Sequence, residues 1–395
     1  MLYWKKTFIS IFIAQVISIL GFSFAMPFLP FFIQELGIKE QSQQAWWAGL
    51  ILSATGVTLT IFAPIWGVLA DRYGRKLMVV RSMIGGFFVL MLMSYSRNVE
   101  ELLVYRLLQG VFTGTIAASI ALVASVTPSE RSGFALGMMQ SAVFIGVSIG
   151  PLFGGMVADH FGYRIAFRTG AVGVLLAGLL VLYGAAETLP STSENSKGWS
   201  LDFKEIFKNS AFISAVFMLF AVRFANTVIN PSFPFIVKNV IKSVEILNRV
   251  TGITMALGGV TGAIASATLG YIGDRYGYVR ILIICSIGAG IAAGAHVFVK
   301  SVPQIIIAHM FFGFFVAGIL PSINATIQLT SSNRNMGKAF GMASSLGMLG
   351  LALGPLAGGF LGSHFGIRSP FIMAAICQFV IAIISFCYLS GKNER

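Results

Sequence analysis

Carboxylates are scarce in this chain. Of 395 residues only 14 are Asp or Glu, against 27 Lys or Arg, and charged residues together make up 10%. Every Asp and Glu falls at or near the end of an apolar stretch, and none lies in the middle of one. Cysteine is scarcer still. Cys285, Cys377 and Cys387 sit singly in apolar runs, without the spacing of a disulfide framework or a metal site, and read as small buried hydrophobes. No Ser-His-Asp, metal or cofactor constellation appears, so no catalysis and no cofactor are expected. A sizeable polar domain is missing too, which leaves a membrane sensor or scaffold poorly motivated. The short alternating strands of a transmembrane barrel are also absent.

What fills the chain instead is apolar. Hydrophobic residues make up 56% of it, and mean hydropathy is +0.85. Apolar stretches of about 20 residues recur along the whole length, each long enough to cross roughly 30 Å of hydrocarbon as a helix. The spacing predicts twelve of them, over about 8–32, 44–69, 79–95, 100–125, 134–158, 166–187, 210–236, 250–272, 279–299, 303–328, 339–362 and 369–390. The first is too long for a signal peptide and lacks a convincing cleavage site.

The net charge of +13 then reads as topology rather than as a nucleic-acid surface. Loops on the side of the N-terminus carry 16 basic residues and the opposite loops 9, which predicts cytoplasmic termini. The remaining two, Arg106 and Arg223, fall inside apolar runs.

An internal repeat organises the spans. "GVLADRYGRK" (67–76) returns as "GYIGDRYGYV" (270–279), so that Gly67, Asp71, Arg72 and Gly74 recur as Gly270, Asp274, Arg275 and Gly277. "GVSIGPLFGG" (146–155) returns as "GLALGPLAGG" (350–359), pairing Gly146, Gly150, Pro151, Gly154 and Gly155 with Gly350, Gly354, Pro355, Gly358 and Gly359. "HFGYR" (160–164) matches "HFGIR" (364–368), and Pro27 and Pro30 match Pro231 and Pro234. The offset is steady at 203 or 204 residues. The expected architecture is an all-α polytopic membrane protein: twelve helices in two pseudo-symmetric six-helix bundles, 1–187 and 210–395. They are joined by a cytoplasmic linker, 188–209, whose second part has the pattern of an amphipathic surface helix.

These motifs resemble those of the major facilitator superfamily over the whole chain. "GVLADRYGRK" resembles its loop between spans 2 and 3, "YRLLQG" (105–110) its fourth-span motif with an intramembrane Arg, "GVSIGPLFGG" the fifth-span motif of proton-coupled exporters, and "MPFLPFFIQELG" (26–37) their first-span Pro motif. The combination is similar to the twelve-span drug:proton antiporter branch, near multidrug and tetracycline exporters. The resemblance implies a multi-pass protein of the bacterial inner membrane that works as a monomer among lipids. It would export small amphipathic compounds in exchange for protons by alternating access. A dedicated exporter of one anionic or zwitterionic metabolite, such as a siderophore or sugar-like compound, and an importer on the same scaffold are the alternatives.

The residues themselves say what each motif can do. Gly67 and Gly74 are seven apart and no hydroxyl follows Lys76, so the loop is not a P-loop, and no nucleotide drives the protein. An Asp near the membrane surface can accept hydrogen bonds from the exposed amides at a neighbouring helix N-terminus. The resemblance points Asp71 at the start of span 11, near Gly337 to Gly341, and pseudo-symmetry points Asp274 at the start of span 5, near Gly133 to Gly137. With Arg72, Arg75 and Arg275 these would latch the two halves together on the cytoplasmic side in one state and release them in the other. Gly146, Gly150, Gly154 and Gly155 form a small-residue face, and Pro151 invites a bend. That seam is expected to shape the cytoplasmic path when it is closed.

A buried Arg costs on the order of 3 kcal/mol at a helix centre, so Arg106 and Arg223 mark function. His309 occupies the site equivalent to Arg106. Arg106, Glu35, Asp159 and His309 are the coupling candidates. A cationic cavity without buried acids favours an anionic, zwitterionic or neutral substrate. Its candidate lining comprises Arg223, Gln109, Gln140, Asn226, Asn230, Asn324 and Gln328, with Phe22, Met26, Met138, Phe144 and Phe217 as an adaptable apolar wall.

Overall fold

The computed structural model describes residues 3–128, 131–187, 210–241, 246–330 and 336–393. Twelve helical spans there are long and apolar enough to cross a membrane. They are α1 (Trp4–Glu35), α2 (Gln41–Tyr73), α3 (Arg75–Ser94), α4 (Val99–Val126), α5 (Ser132–Phe161), α6 (Tyr163–Gly184), α7 (Val216–Val240), α8 (Leu247–Tyr276), α9 (Tyr278–Ala295), α10 (Val302–Thr330), α11 (Met336–His364) and α12 (Ser369–Asn393). All twelve expected spans are present, most longer by a few residues at each end. The linker 188–209 and its surface helix lie outside the described residues. Twelve crossings leave both ends of the chain on one side, here the terminal face; the other is the distal face.

Three spans are broken. In α1 the helix stops at Ser23, passes through a tight turn at Met26–Phe28 and resumes at Leu29. Pro27 and Pro30 stand at the first positions of the two new segments, where the missing N–H is least costly. The repeat does the same: α7 breaks after Val228 and resumes at Phe233, with Pro231 and Pro234 alongside. None of the three breaks was expected, and the third, in α4 between Phe112 and Thr115, has no proline to mark it. Its signal is Gly114, whose φ of 110° only glycine adopts without strain.

Glycine placement explains how the halves are built and joined. Gly146, Gly150 and Gly154 lie against α1, at Ile19, Ser23 and Phe24. Their repeats Gly350, Gly354 and Gly358 lie against α7, at Phe220, Thr227 and Val228. The last glycine of each row, Gly155 or Gly359, turns outward and meets the opposite half. A methyl placed on Gly155 would fall 2.5 Å from the Asn248 carbonyl oxygen of α8, and one on Gly359 would fall 2.8 Å from Cα of Gly49 in α2. Gly49 and Gly252 complete the pairs: each packs bare backbone against the carbonyl of Pro355 or Pro151. Two seams, α2 with α11 and α5 with α8, thus join the halves by backbone contact that no side chain would permit.

Both seams close at the distal end only. Along α2, Gly49, Gly56 and Gly67 share one face, and along α8 Gly252, Gly259 and Gly270 do the same. Gly56 touches Ala352 and Gly259 touches Ser148, but around Gly67 and Gly270 nothing lies within 4 Å of an added methyl. Contact is therefore lost within 11 residues, about 16 Å of helix. The buried core follows the same line. One apolar cluster runs through both halves at the distal end, where Phe31 and its repeat Phe235 meet edge to face, 5.9 Å between centroids. A separate cluster around Val222, Leu282 and Ile319 belongs to the second half alone. The fifth-span glycine row thus closes the distal side, the face opposite the chain ends. Its Pro151 lies in the distal half of α5, and the seam follows it there.

Overpacking of this kind costs about 1–3 kcal/mol, enough to shift a two-state equilibrium roughly tenfold or more. Gly49→Leu and Gly252→Leu are therefore each expected to drive the population away from the distally closed state. Distances between spin labels at the distal ends of α5 and α8, and of α2 and α11, would report it; an unchanged distribution would show that the seams do not depend on glycine.

Candidate functional site

The open side carries the loop motif. Gly74 and Gly277 make the two tight turns, with φ of 100° and 95°. Arg72 lies over Tyr73 at 5.4 Å and Arg275 over Tyr276 at 5.6 Å, so the two copies share their local geometry. Asp71 is 74% exposed and pairs with Arg75, one turn on, at 3.6 Å. Arg75 also donates to the Ala121 carbonyl at 3.0 Å. At Gly133 and Gly137, the partner region expected for Asp274, nothing lies within 4 Å of an added methyl. The Asp274 side chain and the packing of residues 337–341 lie outside what is described. The N-terminal amides of α3 are taken by a group the motif did not reveal: both oxygens of Glu187 accept from Arg75 N and Lys76 N, each at 2.8 Å. That cap comes from the same half.

At the closed distal end a second carboxylate does the same across the seam. Asp159, at the end of α5, accepts from Asn248 N at 3.3 Å, Asn248 Nδ2 at 2.9 Å and Arg249 N at 2.8 Å. These are the first turn of α8, whose own N-cap position, Ile246, supplies no side-chain bond. Glu35 behaves differently. It pairs with Arg164 of α6 at 3.1 Å, within its own half, and Arg164 also donates to the Ser94 carbonyl at 2.9 Å.

Arg106 and His309 occupy repeat-related sites. Thr58 donates to the Leu107 carbonyl at 3.0 Å, and Thr261 donates to the Met310 carbonyl at 2.9 Å, so α2 with α4 and α8 with α10 share one register. Arg106 is buried and held by the Ile51 carbonyl at 3.2 Å, by Gln109 Oε1 and by Met26 Sδ at 2.9 Å. No described carboxylate reaches it. His309 packs on Gly258 and Phe233 and faces His296 Nε2 at 3.4 Å, a partner the sequence reading did not name. Arg223 lies against Gly347 and Gly350 of α11, and no described residue bonds its guanidinium.

The other lining candidates divide. Gln109 and Met26 join Arg106. Phe144 shares a helix face with Ser148, Pro151 and Gly155 and is exposed where the seam has parted. Gln140, Phe217, Asn230 and Asn324 are exposed, and Met138 packs partly on the core. Two turn away. Phe22 fills the space over Gly86 of α3 and beside Val174 of α6, and Asn226 accepts from Gln378 of α12 at 3.4 Å. In both cases a glycine or a polar partner on an outer helix takes the side chain, which apolar periodicity could not disclose. The Gln328 side chain lies outside those described. Also missed was Arg81, which stacks over Trp66 at 3.4 Å while Trp66 donates to the Val111 carbonyl at 2.6 Å beside the α4 break.

The model of the Major Facilitator Superfamily matches residues 11–240 and 215–395. The chain is 30% identical over 395 residues to multidrug resistance protein MdtG of Escherichia fergusonii, covering 99% of this chain and 96% of that one. Its fold is similar to that of a bacterial homolog of the human lysosomal transporter Spinster in an inward-facing and occupied conformation. There the TM-score is 0.78 at 14% identity, over 98% of this chain and 96% of the other. It is also similar to the human organic anion transporter MFSD10, with TM-score 0.67 at 17% identity over 97% and 99%. The chain belongs to the major facilitator superfamily, and is a multi-pass secondary transporter rather than an enzyme.

Removing the Arg106 side chain would take charge-assisted hydrogen bonds from the Ile51 carbonyl and Gln109, at about 1.5–3 kcal/mol each. Arg106→Ala is expected to lower the thermal unfolding midpoint in detergent and abolish transport, with Arg106→Lys intermediate in both. Full transport by Arg106→Ala would remove the residue from the site.

Proposed function

We propose that this protein exports small amphipathic compounds across the bacterial inner membrane in exchange for protons, as a monomer, with both termini in the cytoplasm. The observation that carries this reading is the pair of seams, tight at Gly49 and Gly252 and parted at Gly67 and Gly270. With cytoplasmic termini that geometry is an inward-open cavity, ready to load from the cytoplasm. The full-length likeness to a multidrug resistance protein supports export.

The charges around the cavity favour one substrate class. Arg223 offers a guanidinium that no described residue bonds, Arg106 adds a buried positive charge, and the span interiors contain no Asp or Glu. A lipophilic cation would meet no counter-charge there, an anionic or zwitterionic amphiphile would, and a neutral one needs none. The likeness to an organic anion transporter agrees with this but bears on the fold alone. Among the coupling candidates, Glu35 and Asp159 are the carboxylates, and both stand at the distal ends of their spans.

Transport into inside-out vesicles across a panel of anionic, neutral and cationic amphiphiles tests the proposal. Uptake is expected to require an acid lumen, and Arg223→Ala is expected to lower uptake of anions at least tenfold while sparing neutral compounds. Uptake of ethidium-like cations that Arg223→Ala leaves unchanged would overturn the substrate class. Movement indifferent to the gradient would reduce the protein to a facilitator.

A further inference from the structure

The two seams are related by the repeat, but they are not chemically equal. The α5–α8 seam ends in Asp159, which bonds two backbone amides and one side-chain amide of the opposite half. Its repeat partner in α11 is Ser363, which among the described residues bonds only Phe360 and His364 of its own helix. At the corresponding start of α2 the N-cap residue Glu40 caps no backbone amide with its side chain, which accepts instead from the Ser42 hydroxyl and from Gln43 Nε2 at 2.9 Å. Packing alone therefore does not need a carboxylate at this position: the twin seam closes without one. Among the described residues Asp159 is the sole carboxylate whose hydrogen bonds cross between the halves.

The surroundings suit a reversible contact. Asn248 is buried at 5% exposure, its Oδ1 has no partner, and its Nδ2 also donates to the Tyr163 hydroxyl at 3.3 Å. The charged and titratable groups packed round the clasp are Arg249 on α8, Tyr163 and Arg164 on α6, Glu35 on α1, and His160 on α5 itself. Arg164 is engaged by Glu35, and Arg249 reaches Asp159 through its backbone amide. The carboxylate is thus neutralised mainly by amide donors and by the positive end of the α8 dipole. Those bonds are strongest to the ionised form. Protonation removes the charge, and it turns one oxygen into a donor that faces an N–H.

We infer that Asp159 is a proton-released clasp: ionised, it holds the distal side shut, and protonation from the distal solution frees α8 and opens that side. The inference rests on the reading of the protein as a proton-coupled exporter, and it names the residue through which an external proton acts on the gate. Asp159 is a positioning residue in this account. It need not touch the substrate.

The test uses the full chain in lipid nanodiscs, with spin labels at the distal ends of α5 and α8, titrated from neutral to acid pH. In the unsubstituted protein the distally open fraction is expected to rise as the pH falls. Asp159→Asn, which cannot ionise and presents an NH₂ to the α8 amides, is expected to favour the open form roughly tenfold or more at neutral pH and to show no titration. Asn248→Ala keeps both backbone amides, so it should open the gate less and still titrate. A full pH response retained in Asp159→Asn would overturn the inference, as would an unchanged neutral-pH population in that variant. The vesicle assay separates the two readings. Gradient-independent transport with an intact Asp159 titration would sink proton coupling and leave the clasp. Gradient-driven transport with unaltered gating in Asp159→Asn would do the reverse.

Discussion

The approach of bare backbone to bare backbone at two places holds this protein in its present shape. Gly49 against the Pro355 carbonyl, and Gly252 against that of Pro151, bring helices from opposite halves closer than any side chain allows. In a bilayer the helices gain little from hiding apolar surface, because the lipid is as apolar as they are, and close packing must supply the attraction. The proline breaks follow from the same constraint. Each exposes carbonyls in the middle of a span, at Phe24 and Val228, and each exposed stretch is covered by a glycine, Gly154 or Gly358. Irregular backbone survives at this depth because protein, not lipid, covers it.

Such seams make a device with few states. A contact that depends on glycine is either made or lost, since nothing longer can bridge a partial gap. The face holding Gly49, Gly56 and Gly67 can meet α11 along its whole length or only at one end. Here it meets at the distal end, and the loop-motif carboxylate on the parted side turns back to Arg75. The helices within each half stay tied by contacts independent of the seams: Glu187 capping α3, Thr58 and Thr261 locking α4 and α10, and Glu35 with Arg164. The halves can therefore move as bodies.

Much of the fold was legible in the sequence because its signals are long and repeated. Twelve apolar runs, a constant offset and paired prolines give the spans and the duplication, though the prolines were read as repeat markers and not as breaks. The glycine rows were legible as packing faces, but which end they close depends on how far apart the halves stand, and no periodicity encodes that. The site was legible in outline only. Arg106 and His309 stood out as polar residues in apolar runs, and Gln109 lies one turn from Arg106, yet Met26 and His296 become their partners from outside those helices. The physical rule that an Asp can cap a foreign helix start was read for Asp71. The described residues display it at Asp159 and Glu187, because any span end carries the same unsatisfied amides.

The confinement of carboxylates to span ends bears on how a proton can do work here. A proton shifts a conformational equilibrium only as far as its affinity differs between the two states. Glu35 and Glu187 keep their partners within one half, so rocking the halves leaves their surroundings largely intact. A carboxylate whose bonds cross the seam differs. Its acceptors are satisfied in the closed state and must find water in the open one, so its proton affinity and the position of the halves are linked by necessity. A buried acid in mid-span would achieve the same linkage, but at a desolvation cost in both states and with a counter-charge for cations in the cavity. Placing the linkage at the rim keeps the cavity cationic and still lets the proton on the far side be felt.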